Sequence, residues 1–464
     1  MFFKSRLIIG VLLIVFCTNL NALEKPEPDW SRVGITDSKQ APEYWLKRAP
    51  NSNTALLNTT NIAARNTFLL RNEPTMVDWS QWPASLDSNA IRNKIEAISK
   101  RPSKPLYQTP DVLVSNDDID KWFGNLNLNH IKASNDQLFG IVVVRSALRR
   151  FPTEQRAFDA NGGIDIDRLQ ESALFPGSPV AILHQSRDQQ WLFVQAENYA
   201  AWVKSKAIAI GTRQQVFEYV LRQPRLHVTG SQVRTVFHPH AKDLSELTLD
   251  MGSSFPIRTD WPIAKPVNDQ GSLGSWVVDF PMRSNLGSLQ FKQALIPRSA
   301  DTATALLPAS QANIIRQRFK FIGERYGWGH DYNARDCSGF VSEVYQSMGI
   351  LLPRNTSDQA KSLAFEREAM DAEITRSERI ERIKKLQIGD LVFIPGHVMM
   401  VVGLDEYGPW VIHDSHKTGF VLDAKYFSFP TNGVAVTPLM NMALSADKSY
   451  IDAITSIQHI FPRQ

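Results

Sequence analysis

The sequence predicts an α+β protein of several domains: a helical N-terminal region, two small β-rich units and a C-terminal domain pairing helices with an antiparallel sheet. Three observations predict it. The chain has 464 residues, 43% hydrophobic and 21% charged, an ordinary globular composition with length for roughly two to four domains. From Phe139 to about residue 298, short β-branched and aromatic runs are separated by turn residues, which argues a small barrel or sandwich. Beyond residue 299 the apolar period turns helical, then strand-like again. The formal net charge of +4 comes from scattered basic residues, and no stretch concentrates them as a nucleic-acid groove requires.

Taken in order, residues 1–22 carry Lys4 and Arg6, an apolar run from Leu7 to Phe16 and a small residue at Ala22. The run is too short for a bilayer span of about 20 residues, so the segment reads as a secretory signal peptide, with a retained anchor as the alternative. Phe16 argues against lipidation of Cys17, because lipoprotein signals carry a small residue there. The expectation is an exported protein of the periplasm or cell envelope, with no stable membrane insertion once the signal is cut.

Residues 23–135 alternate helix-like stretches such as "SNAIRNKIEAISKR" with Asn, Ser and Pro clusters, a helical region with long loops. Residues 136–212 and 213–298 are the two β-rich units. In residues 299–464, "QANIIRQRFKFIGERYG" places Ile314, Ile315, Phe319 and Ile322 on one helix face, with Gly327 as the stop. "CSGFVSEVYQSMG" repeats the pattern with Phe340, Val341, Val344 and Tyr345. "AKSLAFEREAMDAEITRSERIERIKKL" reads as a charged, solvated helical insertion. "GDLVFIP", "GHVMMVVG", "PWVIHD" and "GFVLD" read as consecutive strands of one antiparallel sheet.

Cysteine usage narrows the chemistry. The chain has two Cys, and cutting the signal removes Cys17, leaving Cys337 unpaired in an oxidising compartment. Cys337 opens a helix, where unpaired N–H groups and the helix dipole lower a thiol pKa. A nucleophilic thiol needs a base and a group to orient that base. His397 opens one strand and His413 closes the next, so a hairpin would make them neighbours. Plain packing accounts for each residue singly; the combination does not reduce to packing so easily. Zinc binding by Cys337, His397 and His413 is a rival use, and His238-Pro239-His240 has a ligand-like spacing, but no fourth ligand with zinc-site spacing is present. The expectation is no metal and no cofactor.

"RYGWGHDYNARDCSGFVSEVYQSMGILLPRNTSDQ", "LQIGDLVFIPGHVMMVVG" and "WVIHD" together resemble the NlpC-type papain-like peptidases of bacterial cell walls. The resemblance covers about residues 310–440. The two β-rich units look like the bacterial SH3-like domains that precede the peptidase in one branch of that family. The resemblance implies Cys337 as nucleophile, His397 as general base, His413 as its orienting partner and Tyr326 as an oxyanion donor. It also implies that Asp336 and Ser338 help bind the free amino terminus of a peptide, with Trp328 beside them. Asn355 and Thr356 would line the substrate side. His330 departs from the family, which often has Gly there, and Asn355 and Thr356 stand where relatives often carry an acid or Ser. No motif in residues 136–212 identifies the side chain that closes the pocket.

The implied function is a cysteine endopeptidase cutting the γ-D-glutamyl–diamino acid bond of peptidoglycan stem peptides with a free L-Ala terminus. The alternatives are an inactive peptidoglycan-binding protein and a remodelling hydrolase of intact peptidoglycan. The implied partners are peptidoglycan-derived peptides; nothing in the sequence speaks to oligomeric state.

Overall fold

The structure, a computed structural model, describes residues 30–49, 51–132, 134–136, 138–159 and 163–463. The expected signal peptide and Cys17 lie outside them. Among the described residues no helix is long and apolar enough to cross a membrane.

The N-terminal region has helices at Thr59–Asn72, Ser88–Ile98 and Asn116–Asn125, and short strands between them. It does not pack as one body. Its beginning is fastened to the far end of the chain: buried Lys39 lies 2.6 Å from Asp405, and Ala55 and Leu57 pair with Ser310 and Ala309. Trp45 lies where Gly403 leaves room, since a Cβ there would come within 2.8 Å of the indole. The later helices place Ile91, Ile95 and Trp122 in the core of the first β-rich unit.

That unit is a seven-stranded antiparallel sheet between Leu138 and Gly211, with Phe193 and Trp202 fully buried. Alternation along strands such as Trp191–Gln195 and Ala200–Lys204 fails because both faces are covered, as a small core closed by helices demands. The second unit starts with a helix, Arg213–Leu221, closed by a Thr212/Gln215 capping box. Its core joins Leu226, Leu249 and Phe255 with Phe280 of the long hairpin Ser275–Arg283/Leu289–Pro297.

In the C-terminal part, helix α1 (Gln311–Phe319) and helix α2 (Cys337–Gln346) cover a six-stranded antiparallel sheet. Its strands are β1 (Glu366–Ala369), β2 (Leu391–Ile394), β3 (His397–Asp405), β4 (Gly408–Ser415), β5 (Gly433–Pro438) and β6 (Ser456–His459), in spatial order β1-β6-β2-β3-β4-β5. The alternation of β3 and β4 sends Val398, Met400, Trp410 and Ile412 into one core with Phe340 and Val341 of α2; Met399, Val401 and Val411 enter a second core on the other face.

Three expectations from the sequence are corrected. Helix α1 stops at Phe319, eight residues before the expected Gly327, where Lys320 caps it. "GFVLD" is not in the main sheet: Thr418–Leu422 pairs with Lys425–Phe429, and β5 takes the place beside β4. The charged insertion is helical only at its first two residues, the end of a helix Thr356–Lys361, and at Arg376–Ile383, because "EREA" forms edge strand β1 on β6. Edge position suits a charged strand, which pairs on one side and meets water on the other.

Candidate active site

Asp336 caps α2, its Oδ1 accepting the Gly339 N–H at 2.8 Å, the bond expected of a good helix cap. Cys337 follows as the first helical residue. Gly339 is required by close approach: a Cβ there would lie 2.4 Å from Cε1 of His330. The Asp-Cys-Ser-Gly run is thus a cap, a thiol, a hydroxyl and a gap for a ring. The Cys337 sulfur lies 3.6 Å from Thr356 Oγ1, and the Val398 N–H acts on it to favour the thiolate. That contact fixes the sulfur against the start of β3.

His397 stands one residue before Val398. The hairpin that delivers it turns on Pro395 and Gly396, the latter at φ +77°, a left-handed position that suits glycine. His397 Nε2 is 2.9 Å from His413 Nδ1, and His413 Nε2 is 2.9 Å from Thr437 Oγ1 on β5. Nε2 being engaged, Nδ1 of His397 is the nitrogen available for proton transfer. The run Thr437–His413–His397 holds the His397 ring from behind.

Electrostatics oppose one expectation. Burial pushes the Cys337 thiol up to about 11, and the neighbouring Asp336 carboxylate adds to it; helix-start placement does not lower it. Burial takes His397 down to about 4 and His413 well below the ordinary histidine value. The pair is a neutral thiol and a neutral imidazole. The acid limb of kcat/KM, which reports the free enzyme's base, is accordingly expected near pH 4 rather than 6.5. A stopped assay across pH 4 to 8 checks it, and a midpoint at the ordinary histidine value contradicts it.

Residues 323–429 match the NlpC/P60 family and residues 155–204 an SH3 domain of the SH3b1 type. Residues 323–429 are an NlpC/P60 domain. The family is one of cysteine peptidases that hydrolyse peptidoglycan. A gamma-D-glutamyl-L-lysine dipeptidyl-peptidase of Bacillus cereus is 25% identical over 253 residues, 51% of this chain and 66% of that protein. Dipeptidyl-peptidase 6 of Lysinibacillus sphaericus is 25% identical over 236 residues, 50% of this chain and 76% of that protein. The structure of an NlpC/P60 endopeptidase from Photobacterium damselae subsp. piscicida matches with a TM-score of 0.72 at 18% identity, covering 91% of this chain and 97% of that one. That likeness speaks for a shared fold.

Around Cys337, Tyr326 is nearly buried; burial and the Cys337 charge raise its pKa, so its hydroxyl keeps its proton and remains a donor. Arg354 holds the substrate-side polar groups together. Its Nη1 donates to Asp336 Oδ1 at 3.1 Å and Ser338 Oγ at 3.0 Å, and its Nη2 reaches Asp336 Oδ2 at 2.7 Å. Burial would raise the Asp336 carboxyl, but Arg354 and the other bonds bring it to about 2. The departing residue His330 is buried between Arg354, 3.0 Å from Nδ1, and Glu343, 3.2 Å from Nε2. Trp328 donates to the Gln170 carbonyl of the SH3b unit at 3.1 Å. Thr356 touches the thiol, whereas Asn355 is turned to Asp358 at 3.0 Å and is not brought to the nucleophile. Among the described residues no group of three or more His, Cys, Asp or Glu is placed to hold a metal ion, and His238 Nδ1 accepts the His240 N–H instead.

Sequence reasoning missed Thr437, Arg354 and a pair from the SH3b unit, Glu171 and Tyr199. Tyr199 donates to Glu171 Oε2 at 2.7 Å, and Arg150 holds Oε1 at 2.7 Å. The pair adjoins the nucleophile's loop: Arg354 acts on the Tyr199 hydroxyl electrostatically, and its Nε donates to Ser172 Oγ, next to Glu171, at 2.7 Å. For Arg354 a signal existed, the Leu-Pro-Arg element itself. The other three come from segments far away in sequence, Thr437 and Glu171 on strands and Tyr199 in the turn before one.

Proposed function

We propose that this protein is an exported cysteine endopeptidase that hydrolyses the γ-D-glutamyl–diamino acid bond of peptidoglycan stem peptides with a free L-Ala terminus. The observation that carries the reading is what meets at the start of α2: Cys337 against Val398, the residue after the His397 that joins His413 and Thr437, and Asp336 with Ser338 linked through Arg354 to Ser172, next to the Glu171–Tyr199 pair. Cys337 gives its proton to His397 as the sulfur attacks the γ-glutamyl carbonyl, and Tyr326 donates to the oxyanion. The imidazolium then protonates the departing amine, and a water deprotonated by His397 cleaves the thioester. His413 and Thr437 hold the ring through both halves.

Asp336, Ser338 and Glu171 suit a peptide ammonium, and the relatives' names point to a γ-D-glutamyl substrate. A wall of SH3b residues against this pocket favours released peptides over crosslinked glycan. Incubation with L-Ala-γ-D-Glu-diaminopimelate should free the diamino acid, while intact sacculi should release nothing; no release from the peptide refutes the reading, and release from sacculi refutes the closed pocket. Glu171→Gln should raise KM for the free-amine peptide by roughly 10- to 100-fold, the worth of a charge-assisted hydrogen bond. It should leave the rate on an N-acetylated peptide unchanged. Equal KM values for enzyme and variant would remove Glu171 from the pocket.

A further inference from the structure

One buried acid near the nucleophile has no part in the steps above. Asp414 follows His413 on β4 and is fully buried. Strand alternation puts it on the face of Trp410 and Ile412, whose side chains share a core with Cys337, Phe340 and Val341. Asp414 is the last rung of that stripe, at the end where α2 begins. On its other flank it is paired with Val434, whose N–H bonds the Glu324 carbonyl.

Among the described residues neither carboxylate oxygen has a hydrogen-bond partner. The charged and titratable groups that act on it leave no room for an anion. Asp336, before α2, is an ionised carboxylate held by Arg354. Glu324 lies on the neighbouring segment with Tyr326 beyond it, and both Tyr326 and Cys337 feel the Asp414 charge as unfavourable. The cation acting on Asp414 is Arg335, and it is already bound to Asp250, Glu324 and Glu343. A buried carboxylate without donors or a free cation is costly, whereas the neutral acid is not. Burial first, then Asp336 and Glu324, accordingly push its pKa well above the ordinary carboxylate value.

We propose that Asp414 is a positioning residue that works as a neutral acid near the nucleophile, and that a charge on it suppresses thiolate formation at Cys337. The proposal rests on Cys337 as the nucleophile and deepens that reading. A charge at Asp414 would oppose both anions the reaction makes, the thiolate and the oxyanion at Tyr326. While the proton is held, the site has one carboxylate beside the sulfur, Asp336; when it is lost, there are two.

The test reads the thiol directly, so it does not depend on which peptide is cut. The full protein and Asp414→Asn are alkylated with iodoacetamide between pH 6 and 10, with Cys337→Ala as the blank. The ratio of rates, variant over wild type, is expected to rise from about one to at least tenfold across this range. The same rise is expected in kcat/KM on the tripeptide. A ratio that stays flat with pH overturns the proposal, because a merely structural role changes rates without a pH profile. Asp414→Ser, smaller and also uncharged, must give the same rise; if Asp414→Asn does not fold, the Ser variant decides alone. Alkylation that follows the expected ratio while the tripeptide stays uncut would refute the substrate and leave Asp414 standing.

Discussion

Cys337→Ala is expected to abolish release of the diamino acid, with a loss of at least about 10⁴-fold in kcat/KM, roughly 5 kcal/mol of transition-state stabilisation. The size follows from the arrangement. His413 and Thr437 have no function in covalent catalysis unless His397 has a thiol to deprotonate, so removing the sulfur disables the whole run at once. The sulfur is nearly enclosed by Thr356, Val398 and the α2 core, and Ala leaves only a small void, so the fold should survive and the melting temperature should move little. Cys337→Ser should be nearly as inactive, because an imidazole taken down to about 4 is a weak base for a hydroxyl. Both variants are read by amine release under single-turnover conditions. Substantial activity in the Ala variant would remove Cys337 from the mechanism.

The second large effect is on stability. Arg354→Ala is expected to destabilise the NlpC/P60 domain by about 3–5 kcal/mol, the usual cost of stripping one partner from a buried ion pair. All three guanidinium nitrogens are engaged, with Ser172, Asp336, Ser338 and His330 as partners. The Ala variant strands the Asp336 carboxylate and frees the loop that carries Trp328 and His330. Arg354→Lys should recover little, since one ammonium cannot reproduce a planar fork of donors. A fall of about 10 °C or more in the melting transition is expected for a destabilisation of this size; an unchanged transition in the Ala variant contradicts the ledger of bonds drawn for Arg354. The lost Asp336 anchor should also raise KM for the peptide.

What the sequence revealed of this site is what lies close together in the chain or recurs in the family. The Asp336–Gly339 run carries its own cap, thiol and packing gap, and the Pro395–Gly396 turn announces the strand that His397 opens. The partners supplied from elsewhere were not legible. Thr437 meets His413 only because β5, not "GFVLD", lies beside β4, and a strand order of that kind has no local sign. Glu171 and Tyr199 come near Arg354 through the packing of a separate sheet. The direction of the Cys337 shift was misread for a related reason: helix-start position is visible in sequence, while the burial that outweighs it is a property of the finished fold. "EREA" looked helical from its charges because edge pairing with β6 depends on the last strand of the chain.

The guanidinium of Arg335 is fully buried and bound to Asp250, whose strand belongs to the second β-rich unit, at 2.8 Å. Arg354 reaches Ser172 in the first unit. A chimera that fused residues 299–464 to foreign anchoring modules would therefore inherit a buried cation stripped of one of its three carboxylate partners and an open seam, not an autonomous enzyme. The units of this chain are not interchangeable cassettes, and swapping one requires carrying the acid at 250 and the hydroxyl at 172 along with it.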